Sequence, residues 1–279
     1  MADKISRRSF GKFSTVAALG ASAAATAGAA TVASAKTLDD MLKDGVLRIG
    51  IHPNSPPFSG RNDAGEYSGF DADIGNKLAE ELKVKAEFVP TETAQRVPYL
   101  VADTIDISLG GLTRNSERAK LIEYTVPLHT EVMGVLTTAG AGIKGWKDLN
   151  DAKYTLVDVR SAWTIDWAKE NLPNAKMEIV DSSADAVRAI AQGRATALVE
   201  MLDFFTAFTK NHADVKWQVL DDKIDVGWDA IGVQKGNYAL RDVLNITLFK
   251  LHSGGFVDQA WMKAFGSDPL LKVPHQPYF

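Results

Sequence analysis

The chain has 279 residues, a net charge of −4 and no cysteine. That excludes disulfide staples, thiolate metal sites and cysteine nucleophiles, and with no basic run beyond the N-terminus it argues against nucleic acid as a partner. Residues 1–35 read as an export signal rather than as part of the fold. Lys4, Arg7, Arg8 and Lys12 precede a weakly apolar Ala/Gly/Ser/Thr stretch, and Ala33-Ser34-Ala35 offers small residues for cleavage after Ala35. The run SRRSFGK (6–12) resembles a twin-arginine motif; a general secretory signal with two arginines is the alternative. About 244 residues remain, enough for one large domain or two lobes. No later stretch is long and apolar enough to span a bilayer, so a soluble, periplasmic product is expected.

Leu47, Ile49 and Ile51 alternate as a first strand, followed by a breaker-rich loop, HPNSPPFSGRNDAGEYSG (52–69). A helix then carries Ile74, Leu78, Ala79 and Leu82 on one face, with Asp71 and Asp73 suited to its positive N-terminal end. Val84, Ala86 and Phe88 predict the next strand, and Val97, Leu100 and Val101 a further helical stripe.

The passage IDISLGGLTRNSER (105–118) organises the rest. Ile105, Ile107 and Leu109 alternate as a strand, and Gly110-Gly111 end it where another group can approach the backbone closely. Thr113, Asn115 and Ser116 offer N-cap chemistry for a helix carrying Arg118, Leu121 and Ile122. A strand, a glycine turn and a helix N-terminus together present free N–H groups, and Arg118 adds a fork of donors that matches a carboxylate. The expectation is an anion clamp.

Val132–Thr138 reads as a strand leaving this region. A second series follows: strands over 154–159, 176–180, 195–200 and 217–220, and helices around 165–172, 183–192 and Phe204, Phe205 and Phe208. VGWDAIGVQ (226–234) is a strand, Tyr238–His252 a long helix ended by Gly254-Gly255, and Phe256–Phe265 the last helix. The alternation implies an α/β fold with mainly parallel sheets flanked by helices.

Three passages carry a resemblance: GFDADIGNKLAEEL (69–82), QRVPYLVADTIDISLGGLTRNSERAKLIEYT (95–125) and the closing WMKAFGSDP. Through them the chain resembles the periplasmic solute-binding proteins of the polar amino-acid ABC-transporter class (family 3), and looks most like the glutamate/aspartate-binding branch. The resemblance implies a two-lobe Venus-flytrap fold: lobe 1 from 38–131 plus 229–279, lobe 2 from 132–228, and two hinge strands. It also implies a small carboxylate ligand captured by hinge closure, an ABC permease in the inner membrane as partner, a monomer, no cofactor and no catalysis. Carried over, Arg118 grips the ligand's α-carboxylate beside Thr113 and Gly111. Ser161, Ala162, Trp163 and Thr164 form a facing helix N-terminus, where Trp163 either stacks on the ligand or fills space. Arg96 and His52 match side-chain contacts of the acidic branch.

Departures are as informative. The family's aromatic cover positions hold Ser55 and Thr93, the arginine following the histidine is Pro53, and the carboxylate that holds the α-ammonium is Met201. A buried ammonium needs a paired carboxylate. Either Glu200 or Asp203 takes that role, or the ligand lacks an α-ammonium and is a dicarboxylate or other organic acid. A smaller alternative is an enzyme like cyclohexadienyl dehydratase, with Glu200 or Asp203 as general acid. The histidines are scattered, and no HExxH, GxSxG or P-loop spacing occurs, so no metal or cofactor is expected.

Overall fold

The computed structural model describes residues 36–209, 212–220, 222 and 224–274. The expected export segment 1–35 with its cleavage site, His275 and the Phe208 side chain lie outside the described residues. Secondary structure follows the hydrophobic periods closely. After α1 (Leu38–Asp44) come β1 (Val46–Ile51), β2 (Gly60–Arg61), β3 (Tyr67–Ser68), α2 (Phe70–Leu82), β4 (Lys85–Pro90) and α3 (Arg96–Val101). Next are β5 (Ile107–Ser108), α4 (Ser116–Ala119), β6 (Ile122–Thr138), β7 (Thr155–Val159), α5 (Thr164–Asn171), β8 (Lys176–Val180) and α6 (Ser183–Ala191). The chain closes with β9 (Ala197–Met201), α7 (Leu202–Thr209), β10 (Trp217–Val219), β11 (Val226–Gln234), α8 (Tyr238–Ser253) and α9 (Phe256–Phe265). No described helix is long and apolar enough to cross a membrane.

The main sheet runs β4-β1-β5-β11-β6-β9-β7-β8, with β10 pairing on β6. It consists of two blocks that share one strand. In the first, β1 lies parallel to β4 and β5, and β11 runs antiparallel to β5 and β6. In the second, β7 lies parallel to β8 and β9, and β9 runs antiparallel to β6. The shared strand β6 pairs with β11 up to Val132 and with β9 from Met133 onward.

That strand departs from the sequence reading. The expected helix bearing Arg118, Leu121 and Ile122 is a single turn, α4; Leu121 is half exposed and Ile122 already belongs to β6. Pro127 breaks the strand pattern in sequence but is tolerated in the fold, because β11 shifts register on either side of its partner Ala230. The seven-residue α1 was also unforeseen; it is fixed by a capping box in which Thr37 and Asp40 each accept the other's backbone N–H. Val101, expected in the α3 stripe, is exposed, while Leu100 is fully buried.

The largest apolar cluster joins Leu47, Ile49, Phe70, Ile74 and Trp261 of the first block to Met133, Leu136, Val187 and Phe205 near the second. A separate cluster of Leu149, Leu156, Ala168 and Leu172 fills the far side of the second block. Burying each large side chain is worth about 1.5–3 kcal/mol, so both blocks have cores of their own and also share one through β6.

Candidate functional site

The site is built around the turn after β5. Gly110 and Gly111 adopt φ +85° and +69°, a left-handed conformation that any side chain would strain. So turned, both carbonyls face Arg96, whose Nη1 donates to Gly110 O and Gly111 O while its Nε donates to Thr93 O at 3.2 Å. Arg96 is buried; burial, with the like charge of Arg118 beside it, lowers its pKa to about 10, so it stays cationic at neutral pH. The sequence reading gave Arg96 to the ligand's side-chain carboxylate. It does line the cleft, with its Nη1 given to the turn and its Nε to Thr93 O.

Arg118 sits on the other side of the same turn. The expected helical anion site is reduced to one turn, and the Arg118 N–H is taken by the capping side chain of Asn115 at 2.8 Å. The clamp therefore resides in the guanidinium alone. Its Nη1 donates to Thr113 O at 3.0 Å, and its Nη2 reaches Ser161 O, beyond β7, at 2.7 Å. Ser161 contributes only that carbonyl, which its left-handed φ of +65° turns toward Arg118. Ala162, Trp163 and Thr164 line the opposite wall. The Thr164 hydroxyl, expected to serve a ligand, donates instead to Asp158 at 2.5 Å, and burial raises the pKa of that carboxyl to about 7. Trp163 both lines the cleft and packs on the main core.

His52 lines the cleft with both ring nitrogens facing other protein groups: Nδ1 accepts the Asn54 N–H at 3.3 Å, and Nε2 lies 3.0 Å from Glu92 in the loop after β4. Burial, then the nearby Arg96 charge, lowers its pKa to about 4, so the imidazole is neutral at pH 7 and its short contact with Glu92 is not an ion pair.

Of the two carboxylates weighed for the ammonium, only Glu200 reaches the cleft, together with the fully buried Met201. Asp203 is not among the cleft-lining residues and faces the backbone of Leu270. Sequence reasoning missed Glu131, which lines the cleft from β6 and is 7% exposed. Its signal was present: Glu131 is the one acidic residue in the run from Thr125 to Thr138.

Behind the turn lies a second polar cluster. His129 Nε2 stands 2.7 Å from Asp229 Oδ2, directly across the β6–β11 pairing, inside a box formed by Phe58, Phe70 and Trp261. Burial lowers the His129 pKa, but the Asp229 charge more than offsets it and raises the value to about 9. Asp71 sits in the first turn of α2, as expected, but is fully buried there, and its pKa rises to about 7. The reason is tertiary: Phe70 beside it is drawn into the core, and the first turn of α2 follows.

Arg118, Thr113, Glu131 and Glu200 thus share a cavity of about 80 Å3 with apolar walls from Phe58, Met133, Trp163 and Phe204. Such a site can hold a small solute with an anionic end at the guanidinium and polar groups opposite. Among the described residues, no group of His, Cys, Asp and Glu side chains is placed to hold a metal ion.

The comparisons agree with this architecture. The L-arginine-binding protein of Pseudomonas aeruginosa is 30% identical over 244 residues, covering 84% of this chain and 93% of that protein. The crystal structure of an ancestral amino acid-binding protein, a precursor of cyclohexadienyl dehydratase, superposes with a TM-score of 0.75 at 30% identity, covering 81% of this chain and 98% of that one. The L-cysteine solute receptor of Neisseria gonorrhoeae superposes with a TM-score of 0.76 at 27% identity, covering 82% and 93%. The profile of the bacterial extracellular solute-binding proteins, family 3, matches residues 47–267, and the chain belongs to that family.

Proposed function

We propose that this protein is the periplasmic binding component of an ABC importer and takes up a small polar α-amino acid without transforming it. The observation that carries the reading is Arg118. Its guanidinium joins the Thr113 loop of the first strand block to the Ser161 loop of the second, at the edge of a cavity that it lines. A solute carboxylate bound there meets the guanidinium N–H groups not given to Thr113 O and Ser161 O and strengthens the contact between the blocks. The blocks serve as lobes, 38–131 plus 229–279 and 132–228, and rotate about the two strands that cross between them. The partner change on β6 between Val132 and Met133, and the start of β11 at Val226, support those boundaries.

The amino-acid class is favoured over a simple diacid because two carboxylates, Glu131 and Glu200, line the cleft, while Arg96, the expected grip for a second ligand carboxylate, is held by the turn. An acidic amino acid accordingly loses its special claim over other polar ones. One observation favours the second reading, an organic-acid receptor: Met201, fully buried in the wall, offers an ammonium nothing.

Calorimetric titration of the refolded, ligand-stripped protein with L-glutamate, L-glutamine, L-arginine and succinate separates them. Binding of one of the amino acids in preference to succinate, lost on Arg118→Ala, is the expected result. Binding of succinate alone assigns the organic-acid function. Consumption of a bound compound by the purified protein would overturn the binding-only reading.

A further inference from the structure

We infer that the C-terminal segment, residues 267–274, is a strap across the hinge. It favours the arrangement in which Arg118 reaches Ser161, and thereby slows release of the solute. The inference rests on the two-lobe reading and adds to it a third link beside the two crossing strands.

The segment starts on the first block. Gly266 caps α9 with a left-handed φ of +76°, which lets the chain leave the helix and reverse. Lys272 Nζ then donates to Asp258 Oδ2, in the first turn of α9, at 2.8 Å, and lies 3.1 Å from Asp268 Oδ1 within the segment. The chain therefore runs back along α9 and is carried with it. Pro269 and Pro274 restrict its backbone.

Two adjacent residues straddle the hinge point. Leu271 O accepts the hydroxyl of Thr130, which is buried on β6 opposite Trp228 of β11. Leu270 turns its backbone N–H to the carboxyl of Asp203, in the first turn of α7. Thr130 precedes the partner change on β6, whereas the helix bearing Asp203 is packed against the strand beyond it. A Cβ at Gly134 would stand 2.1 Å from Leu202 Cδ2, so the start of α7 moves with that part of β6. Consecutive Cα atoms are held about 3.8 Å apart. A link that short cannot follow Asp203 when the second block swings relative to Thr130, and one of the two contacts must break.

The strap is also built to come away. Leu270 and Leu271 are 52% and 40% exposed, so no core holds the segment in place. Its anchors are two polar contacts and a surface ion pair, and a surface pair contributes little by itself. Such a segment detaches without unfolding either block. Its hold reaches the cavity directly, because Phe204, next to Asp203, lines the wall. The Leu270–Asp203 and Arg118–Ser161 contacts each join a group carried by the first block to one carried by the second, and both are made in the same arrangement. Each favours that arrangement, and solute binding draws on the same equilibrium.

The test reads shape and release together. Wild type, Asp203→Ala, Thr130→Val and Lys272→Ala, each refolded and ligand-stripped, are measured by small-angle X-ray scattering with and without solute. L-glutamate, L-glutamine, L-arginine and succinate are the probes, and stopped-flow tryptophan fluorescence gives the dissociation rate of whichever binds tightest. The expected result is that Asp203→Ala and Thr130→Val have a larger radius of gyration than wild type without solute. They return to the wild-type value at saturation and release the solute roughly three- to tenfold faster. Lys272→Ala shifts both quantities the same way by less, and as a surface change it keeps the test open should a buried variant not fold. Wild-type dimensions and release rates in every folded variant overturn the strap. Faster release with unchanged solute-free dimensions does so too, because the contacts then act within one block. If solute compacts neither wild type nor any variant, the two-lobe reading itself falls.

Discussion

Two sets of charges flank the Gly110-Gly111 turn, and they are put to different uses. Behind it, His129 and Asp229 pair within an aromatic box and Asp71 is buried beside Phe70, while Arg96, which also lines the cleft, gives its Nη1 to the two carbonyls of the turn. In front of it, Arg118, Glu131 and Glu200 line a cavity and keep part of their hydrogen-bonding capacity open to it. The two arginines lie close enough that Arg96 feels the charge of Arg118. Both donate to backbone carbonyls; what separates them is that Arg96 is buried and commits its Nη1 to the two carbonyls of the turn, whereas Arg118 is only partly buried and bridges the two strand blocks at the cavity edge.

Breaking the rear set should cost stability. Arg96→Ala orphans two buried carbonyls and removes a counter-charge from Asp229 and Glu131, so urea unfolding should show a loss of about 3–5 kcal/mol. A loss below about 1 kcal/mol would show that the turn holds itself.

The rear set also has a pH signature. His129 is raised to about 9 in the fold from 6.5, so its stabilisation is complete below pH 6.5 and is lost as the pH rises through 9. That amounts to about 3 kcal/mol across the window, and Asp229→Asn should flatten most of the slope. Glu200, an acid raised from 4.5 to about 8, adds a decline of its own that begins above pH 4.5 and is complete by about pH 8, and this part survives Asp229→Asn. His52 acts with the opposite sign: depressed to about 4, it removes stability as the pH falls from 6.5 through 4. Unfolding midpoints at pH 5, 7 and 9 check all three.

Breaking the front set should cost affinity instead. Arg118→Ala should weaken the preferred ligand by at least about 2 kcal/mol while leaving stability within about 0.5 kcal/mol, because the side chain is only partly buried and no core depends on it. Comparable losses in both quantities would erase the distinction between the two sets. The smallest change is expected from Ser161→Gly. It keeps the carbonyl that Arg118 grips and relieves a left-handed φ of +65° at the cost of a freer unfolded chain, so stability should stay within about 1 kcal/mol. Loss of binding in that variant would mean that the Ser161 side chain, not its backbone, makes the contact.

Much of this molecule was legible in its sequence, because its elements obey local rules. Alternation in Leu47, Ile49 and Ile51, the stripe Ile74, Leu78 and Ala79, and the run VGWDAIGVQ each produce the expected strand or helix. The passage 105–118 likewise gives the cleft its glycine turn and places Arg118 at its edge. Tertiary contacts decided the rest. Strand β6 outlasts Pro127 because β11 bulges to meet it, and the helix after Asn115 stops at one turn because Ile122 is claimed by that pairing. Arg96 and Arg118 read alike in sequence; only the tertiary structure buries the first against the two carbonyls turned by positive φ at Gly110 and Gly111 and leaves the second partly exposed at the cavity edge. Glu131 became a site residue for the same kind of reason. A period along the chain says which way a side chain points from its own strand, but not which neighbouring strand, turn or cavity will be there to receive it.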